Sequence, residues 1–186
     1  MRAVFFAAAL AACLVGCSNS VQSFIVSPQV LATQSNELTN VSFALTVQDN
    51  RPNNATLVMR DGDSVKSYPA TNDVIGQIQA TLTDALKKRG ANVAAADTTT
   101  VTIQINQLEA NAELSIAQHV VHNAVSVTLQ IEKNGSSFNK SFNRSGKWSQ
   151  PLKLDTAMAE RELRVLTEQV LNDLMADTTW QNFLRN

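Results

Sequence analysis

VHNAVSVTLQIEKNGSSFNKSF, residues 121–142, decides the fold. Val121, Val125, Val127, Leu129 and Ile131 share one parity, which is the mark of a strand with one buried face. Asn134-Gly135 follows, and these two residue types accept the positive φ angles of a two-residue type I′ turn. Phe138 and Phe142 then continue the apolar pattern on a returning strand, so the stretch reads as an antiparallel hairpin.

Working outward, the same period of two recurs. Val41, Phe43, Leu45 and Val47 alternate with Ser42, Ala44, Thr46 and Gln48, and Asp49-Asn50-Arg51-Pro52-Asn53-Asn54 ends that strand with turn-forming residues. Thr56 to Met59 reads as a short strand before an Asp61-Gly62-Asp63 turn. Val101, Ile103 and Ile105 make a further alternation, and a weaker one, Ala112, Leu114 and Ile116, follows Asn111. Phe24-Ile25-Val26 is a β-prone triplet ahead of Ser27-Pro28 and is expected to dock as an early strand, with residues 33–40 as loop.

Two segments carry the helical period instead. Asn72 or Asp73 caps the first, Val74, Ile75, Ile78, Leu82, Ala85 and Leu86 form its apolar stripe, and Lys87-Lys88-Arg89-Gly90 closes it. Cations near the last carbonyls and a glycine just beyond them are the expected stop signals. The second begins near Asp155 or Thr156 and aligns Met158, Leu163, Leu166, Val170, Leu171, Leu174 and Met175. Asp177-Thr178 caps a last short turn with Trp180, Phe183 and Leu184. Because a one-faced sheet needs a cover, the expected class is α+β: a mainly antiparallel sheet covered by two amphipathic helices, in a single domain over residues 23–186.

The N-terminus has the three parts of a secretory signal: Arg2, an apolar run from Ala3 to Leu14, and small residues at the cut. That run is shorter than the roughly 20 residues needed to span a hydrocarbon core. It ends in Leu14-Val15-Gly16-Cys17, the pattern of a bacterial lipoprotein signal, so residues 1–16 are expected to be removed and Cys17 to be acylated. Leu10-Ala11-Ala12-Cys13 fits the same pattern but leaves a shorter apolar run. Two or more acyl chains hold a domain stably at a membrane. Processing removes Cys13 and acylation consumes the Cys17 sulfur, which leaves no thiol for disulfide or thiolate chemistry. Residues 18–22 form a tether spanning at most roughly 18 Å. Ser18 stands where an aspartate retains lipoproteins in the inner membrane, so the expected location is the outer membrane, facing the periplasm.

About 170 residues remain, the usual length of one domain. The full chain has 15 basic and 16 acidic residues, and losing Arg2 makes the balance one unit more negative. No broad basic field is present to attract nucleic acid.

Several segments in order carry a resemblance to a known family: Leu14 to Cys17, Val26-Ser27-Pro28, residues 41–51 ending in Asp49-Asn50-Arg51, residues 86–90 and residues 101–108. Asn134-Gly135 and the C-terminal helix with residues 178–184 complete them. Across nearly the whole mature chain the sequence resembles the YajG-like family of uncharacterised bacterial lipoproteins. The resemblance implies an α/β lipoprotein module related to small periplasmic accessory or assembly domains. It brings the acylated cysteine and no catalytic residues.

A search for chemistry points the same way. His119 and His122 are the two histidines of the chain, and on a strand an odd spacing turns them to opposite faces, unlike a zinc pair. Serine hydrolysis would call for a Gly-x-Ser-x-Gly elbow, which is absent. Glu109 and Glu113 read as solvated residues around a turn, and Asp61-Gly62-Asp63 lacks the spacing of a calcium loop. No metal or cofactor is expected. Asp49 and Arg51 leave the sheet at a strand end, where side chains often meet ligands, although a turn cap and an ion pair explain them as well. Trp148, between Gly146 and Pro151, offers either a stacking surface or a plug for one end of the core.

The expected function is therefore non-enzymatic: a binding or accessory module that contacts an envelope protein partner through Asp49, Arg51 and Trp148, in envelope or cell-wall assembly. An envelope hydrolase with an unrecognised site and a structural oligomer are the alternatives. A deep acidic pocket with a histidine distinguishes the first, and size measurements on the acyl-free domain distinguish the second.

Overall fold

Asn134 and Gly135 adopt φ of 51° and 77°, the doubly left-handed pair of a type I′ turn. On either side of them run the two longest of the described strands. The computed structural model describes residues 23–151 and 153–186. The signal sequence, Cys17 and residues 18–22 lie outside the described residues.

In chain order the described elements are β1 (Ser42–Asp49), β2 (Ala55–Asp61), β3 (Ser64–Pro69), α1 (Val74–Lys88) and β4 (Asn92–Ala94). They continue with β5 (Thr100–Leu114), β6 (Gln118–Lys133), β7 (Ser136–Pro151), α2 (Thr156–Ala176) and α3 (Thr178–Arg185). All seven described strands join one sheet, and β5 is its centre. One edge of β5 pairs antiparallel with β6 along its whole length. The other edge is filled twice: β1 runs parallel to residues 100–105 and β2 parallel to residues 110–114. β3 and β4 flank β2 and β1, and β7 flanks β6.

The sheet is therefore mixed, not mainly antiparallel. The α1 crossover carries the chain from the β2–β3 hairpin back to the start of β1, so β4 and β5 both leave parallel to it. Apolar alternation reports a buried face and is silent about strand direction. Three helices are described rather than two, because the segment capped by Asp177 continues for two turns as α3. β3 was not legible because its residues are nearly all exposed, and β4 because it has three residues. Asn111 does not start a new strand: it sits inside β5, whereas Ile116 lies beyond it in the β5–β6 turn.

Local chemistry explains the helix ends. Asp73 accepts from the Gly76 N–H at 2.9 Å, and Asp155 accepts from Ala157 and Met158. At the end of α1, Gly90 takes φ 89° while its N–H bonds Lys87 O and the Ala91 N–H bonds Leu86 O, the pairing of a Schellman stop. α1 covers β1 and β4, and α2 covers β5, β6 and β7, enclosing a core that includes Phe43, Ile78, Leu82, Ile103, Leu129, Leu163 and Trp180. The opposite sheet face is polar and cross-linked by side chains: Asn106 Nδ2 donates to Thr128 Oγ1 at 2.8 Å, and Thr128 bonds Ser141 at 3.0 Å.

Residues 23–38 lie along the seam between α1 and α2. Phe24 and Val26 are fully buried there, which contributes roughly 1.5–3 kcal/mol per side chain. The expected strand does not form. The helical layer offers no strand edge, so side chains hold the backbone instead: Ile25 N–H bonds Glu160 Oε1 at 2.9 Å, Val26 N–H bonds Asn72 Oδ1 at 3.1 Å, and Gln29 N–H bonds Glu168 Oε1 at 3.1 Å. The Ile25 and Val26 amides are predicted to be protected in hydrogen exchange despite lying outside regular secondary structure. Exchange at the rate of an unfolded chain at both positions would overturn this docking.

Candidate functional site

β1 and β2 are two halves of one interrupted strand. Asp49 stands opposite Ile105 and Leu57 opposite Ala110, so the chain between them has more residues than the β5 segment it accompanies. The surplus, residues 50–54, loops out. β5 itself departs from regularity at the same level, because its ladder to β6 slips between Ile105 and Gln107 and leaves Asn106 as a bulge.

Arg51 closes this break from inside. Its side chain is only 8% exposed and forms a two-pronged ion pair with Asp49, Nε to Oδ1 at 2.8 Å and Nη2 to Oδ2 at 2.7 Å. Nη1 reaches across to Thr56 Oγ1 at 3.3 Å and to the Leu108 carbonyl at 3.4 Å. Thr56 is fully buried and also accepts from the Ala70 N–H. One guanidinium thus ties the end of β1, the start of β2 and the bulged strand. The planar fork matters, because an ammonium cannot serve these acceptors together. The Arg51 hydrogen bond holds the Asp49 carboxyl below its ordinary pKa, against an opposing push from burial.

Beside the brace is a cavity of about 250 Å³ lined by Arg51, Pro52, Asn53, Ala55, Asn106, Gln107, Leu108, Glu109 and Ser126. It is smaller than the roughly 300–1,000 Å³ of sites that engulf small molecules. Its size suits one protruding group rather than a whole cofactor. Most polar groups in its wall are neutral: the amides of Asn53, Asn106 and Gln107 and the hydroxyl of Ser126. The Arg51 charge is answered by Asp49. Glu109 adds a half-buried carboxylate.

The sequence had singled out Asp49 and Arg51, and the structure joins them as partners. Trp148 is not with them. It faces the core on β7 opposite Val121, half-buried against the apolar cluster. Glu109 and Glu113 are not around a turn: both lie on β5, with Glu109 at the cavity and Glu113 exposed. β6 presents His119 and His122 on opposite faces. Asp61-Gly62-Asp63 is the β2–β3 turn. Among the described residues no cluster of three His, Cys, Asp or Glu side chains has metal-binding geometry. Sequence reading missed Asn53, Asn106, Gln107 and Ser126. A signal for the bulge was present: the buried series Val101, Ile103, Ile105 changes parity to Leu108, Ala110, Ala112.

A family model described as uncharacterized lipoprotein matches residues 28–185. No curated protein matches the chain. Among solved structures, a Xanthomonas campestris protein of the DUF330 family superposes with a TM-score of 0.54 at 14% identity, covering 86% of this chain and 96% of that one. A Helicobacter pylori protein described as homologous to a neuraminyllactose-binding hemagglutinin gives 0.44 at 9% identity, covering 84% of this chain and 96% of its own. A Neisseria meningitidis lipoprotein gives 0.34 at 12% identity, covering 74% and 99%. The first likeness supports the fold and carries no function.

Arg51→Ala is predicted to destabilise the domain by about 2 kcal/mol, from the unmade bonds to buried acceptors, lowering Tm by roughly 4–8 °C. Arg51→Lys should recover only part of that loss. Because the folded pKa of Asp49 lies below its unfolded value near 3.9, its contribution is complete above about pH 5 and is lost as pH falls through the folded value. The stability gap between the wild type and Asp49→Asn should therefore be widest at neutral pH and close in acid. A gap independent of pH, measured by urea unfolding, would show that the ion pair contributes nothing.

Proposed function

The chain belongs to the YajG-like family of uncharacterised lipoproteins, and on that basis we propose that it is a non-enzymatic binding module acylated at Cys17 and held at the periplasmic face of the outer membrane. Family membership places it in the envelope, anchored to a membrane. No helix among the described residues is long and apolar enough to cross a bilayer, and acyl chains on Cys17 supply the attachment in this reading.

The observation that carries the binding role is the cavity at the strand break. Its floor is braced by the Asp49–Arg51 ion pair, its wall sets the amides of Asn53, Asn106 and Gln107 and the Ser126 hydroxyl among the apolar Pro52, Ala55 and Leu108, and its volume admits a single polar group of a protein partner. Preorganised neutral donors and acceptors beside a fixed charge suit recognition of a neutral hydrogen-bonding side chain or a peptide carbonyl. Glu109 is the one carboxylate of the wall. Arg51, the other charged group of the wall, is committed to Asp49.

Two measurements test the two halves. Cys17→Ser is expected to yield an unprocessed or soluble product on cell fractionation, and a normally processed protein in the outer-membrane fraction would overturn the anchor. A photoreactive amino acid at Gln107 is expected to trap a discrete envelope protein in living cells, while the same probe at the exposed Lys87 traps none. Adducts from position 87 alone would move the contact surface away from the strand break.

A further inference from the structure

The end at which the chain enters the fold can be located. Residues 25–29 run beside α2 from Glu160 to Glu168, so Ile25 meets the helix about one turn from its start at Thr156. α2 follows β7, whose last residue, Pro151, pairs with Gln118 at the head of β6. The chain therefore enters at the sheet end that carries the β5–β6 turn, residues 115–117. The β2–β3 turn lies at that same end, because Asp61 pairs with both Leu114 and Ser64.

Apolar side chains are exposed there. Ile116, at the tip of the β5–β6 turn, is fully solvent-accessible, Val65 just after the neighbouring turn is 52% exposed, and Ile25 on the entering segment is 47% exposed. From Cys17 to Ser23 an extended chain reaches only about 20 Å. An anchor on Cys17 must then hold this end close to the lipid, while the opposite end, at Asn134-Gly135, points away.

We infer that the β5–β6 turn is a second membrane contact, with Ile116 inserted into the interfacial layer of the bilayer beside the acyl anchor. The inference rests on acylation at Cys17 and assigns the surface that this anchor presses against lipid. Charge at this end is mixed, Arg60 and Lys66 standing beside Asp61 and Asp63. The contact is therefore apolar and insensitive to salt, unlike a polybasic surface. With this end down, the strand break and its cavity stand off the membrane on the flank of the sheet, open to a periplasmic partner.

The test uses the acylated full-length protein in vesicles of phosphatidylethanolamine and phosphatidylcholine. Cleavage and acylation leave no other thiol, so Ile116→Cys and Asn134→Cys each carry one environment-sensitive fluorophore. The expected result is severalfold stronger quenching by spin-labelled lipid at position 116 than at 134, unchanged between low and high salt. Flotation of the protein with equal quenching at both positions would overturn the insertion and leave the anchor standing. Failure of the unsubstituted protein to float would overturn the anchor, and the insertion with it. Ile116 is fully exposed, so its replacement leaves the core intact, and an unchanged Tm for Ile116→Asp verifies this.

Discussion

Every layer of this molecule refers back to the pairing of β5 on both edges. A central strand of 15 residues must find partners for its backbone groups on either side, since unpaired buried amides and carbonyls are costly. On one side β6 matches it in a single run. On the other no single strand does, and two strands placed end to end complete the ladder. The discontinuity between them is the irregularity from which the cavity arises. A guanidinium that satisfies groups on β1, β2 and β5 together holds it closed.

This explains which parts of the fold were legible. The β6–β7 hairpin, α1 and α2 announce themselves because each is specified by neighbours in sequence: a period, a cap and a turn pair. The mixed direction of the sheet is not local information. It follows from where α1 returns the chain, and alternating residues read identically in parallel and antiparallel strands. β3 carries almost no pattern because nothing covers it. Residues 24–26 have strand-like composition, but burial in the seam between the helices uses their apolar side chains without a ladder.

The candidate site was half legible for the same reason. Asp49 and Arg51 are two residues apart and sit at a recognisable strand end, so their ion pair could be read as a local event. Glu109 and Ser126 reach the cavity only through long-range register, and Asn106 and Gln107 matter because one is the bulge and the other resumes the ladder beside it. The change of parity after Ile105 recorded that bulge in sequence. Read as the end of one strand and the start of another, it conceals the site; read as one strand with an extra residue, it reveals the site.

Arg51 is consequently a poor choice for deciding whether the cavity binds a partner. Its guanidinium is already divided among Asp49, Thr56 and the Leu108 carbonyl, so its removal alters the strand break before any ligand arrives. Gln107 is exposed beside the bulge, and its side chain has no part in the ion pair. A change there alters the wall and spares the brace. Stability and the proposed recognition thus fall in one small region but on different side chains, the Asp49–Arg51 ion pair holding the break and the amides around it lining the cavity.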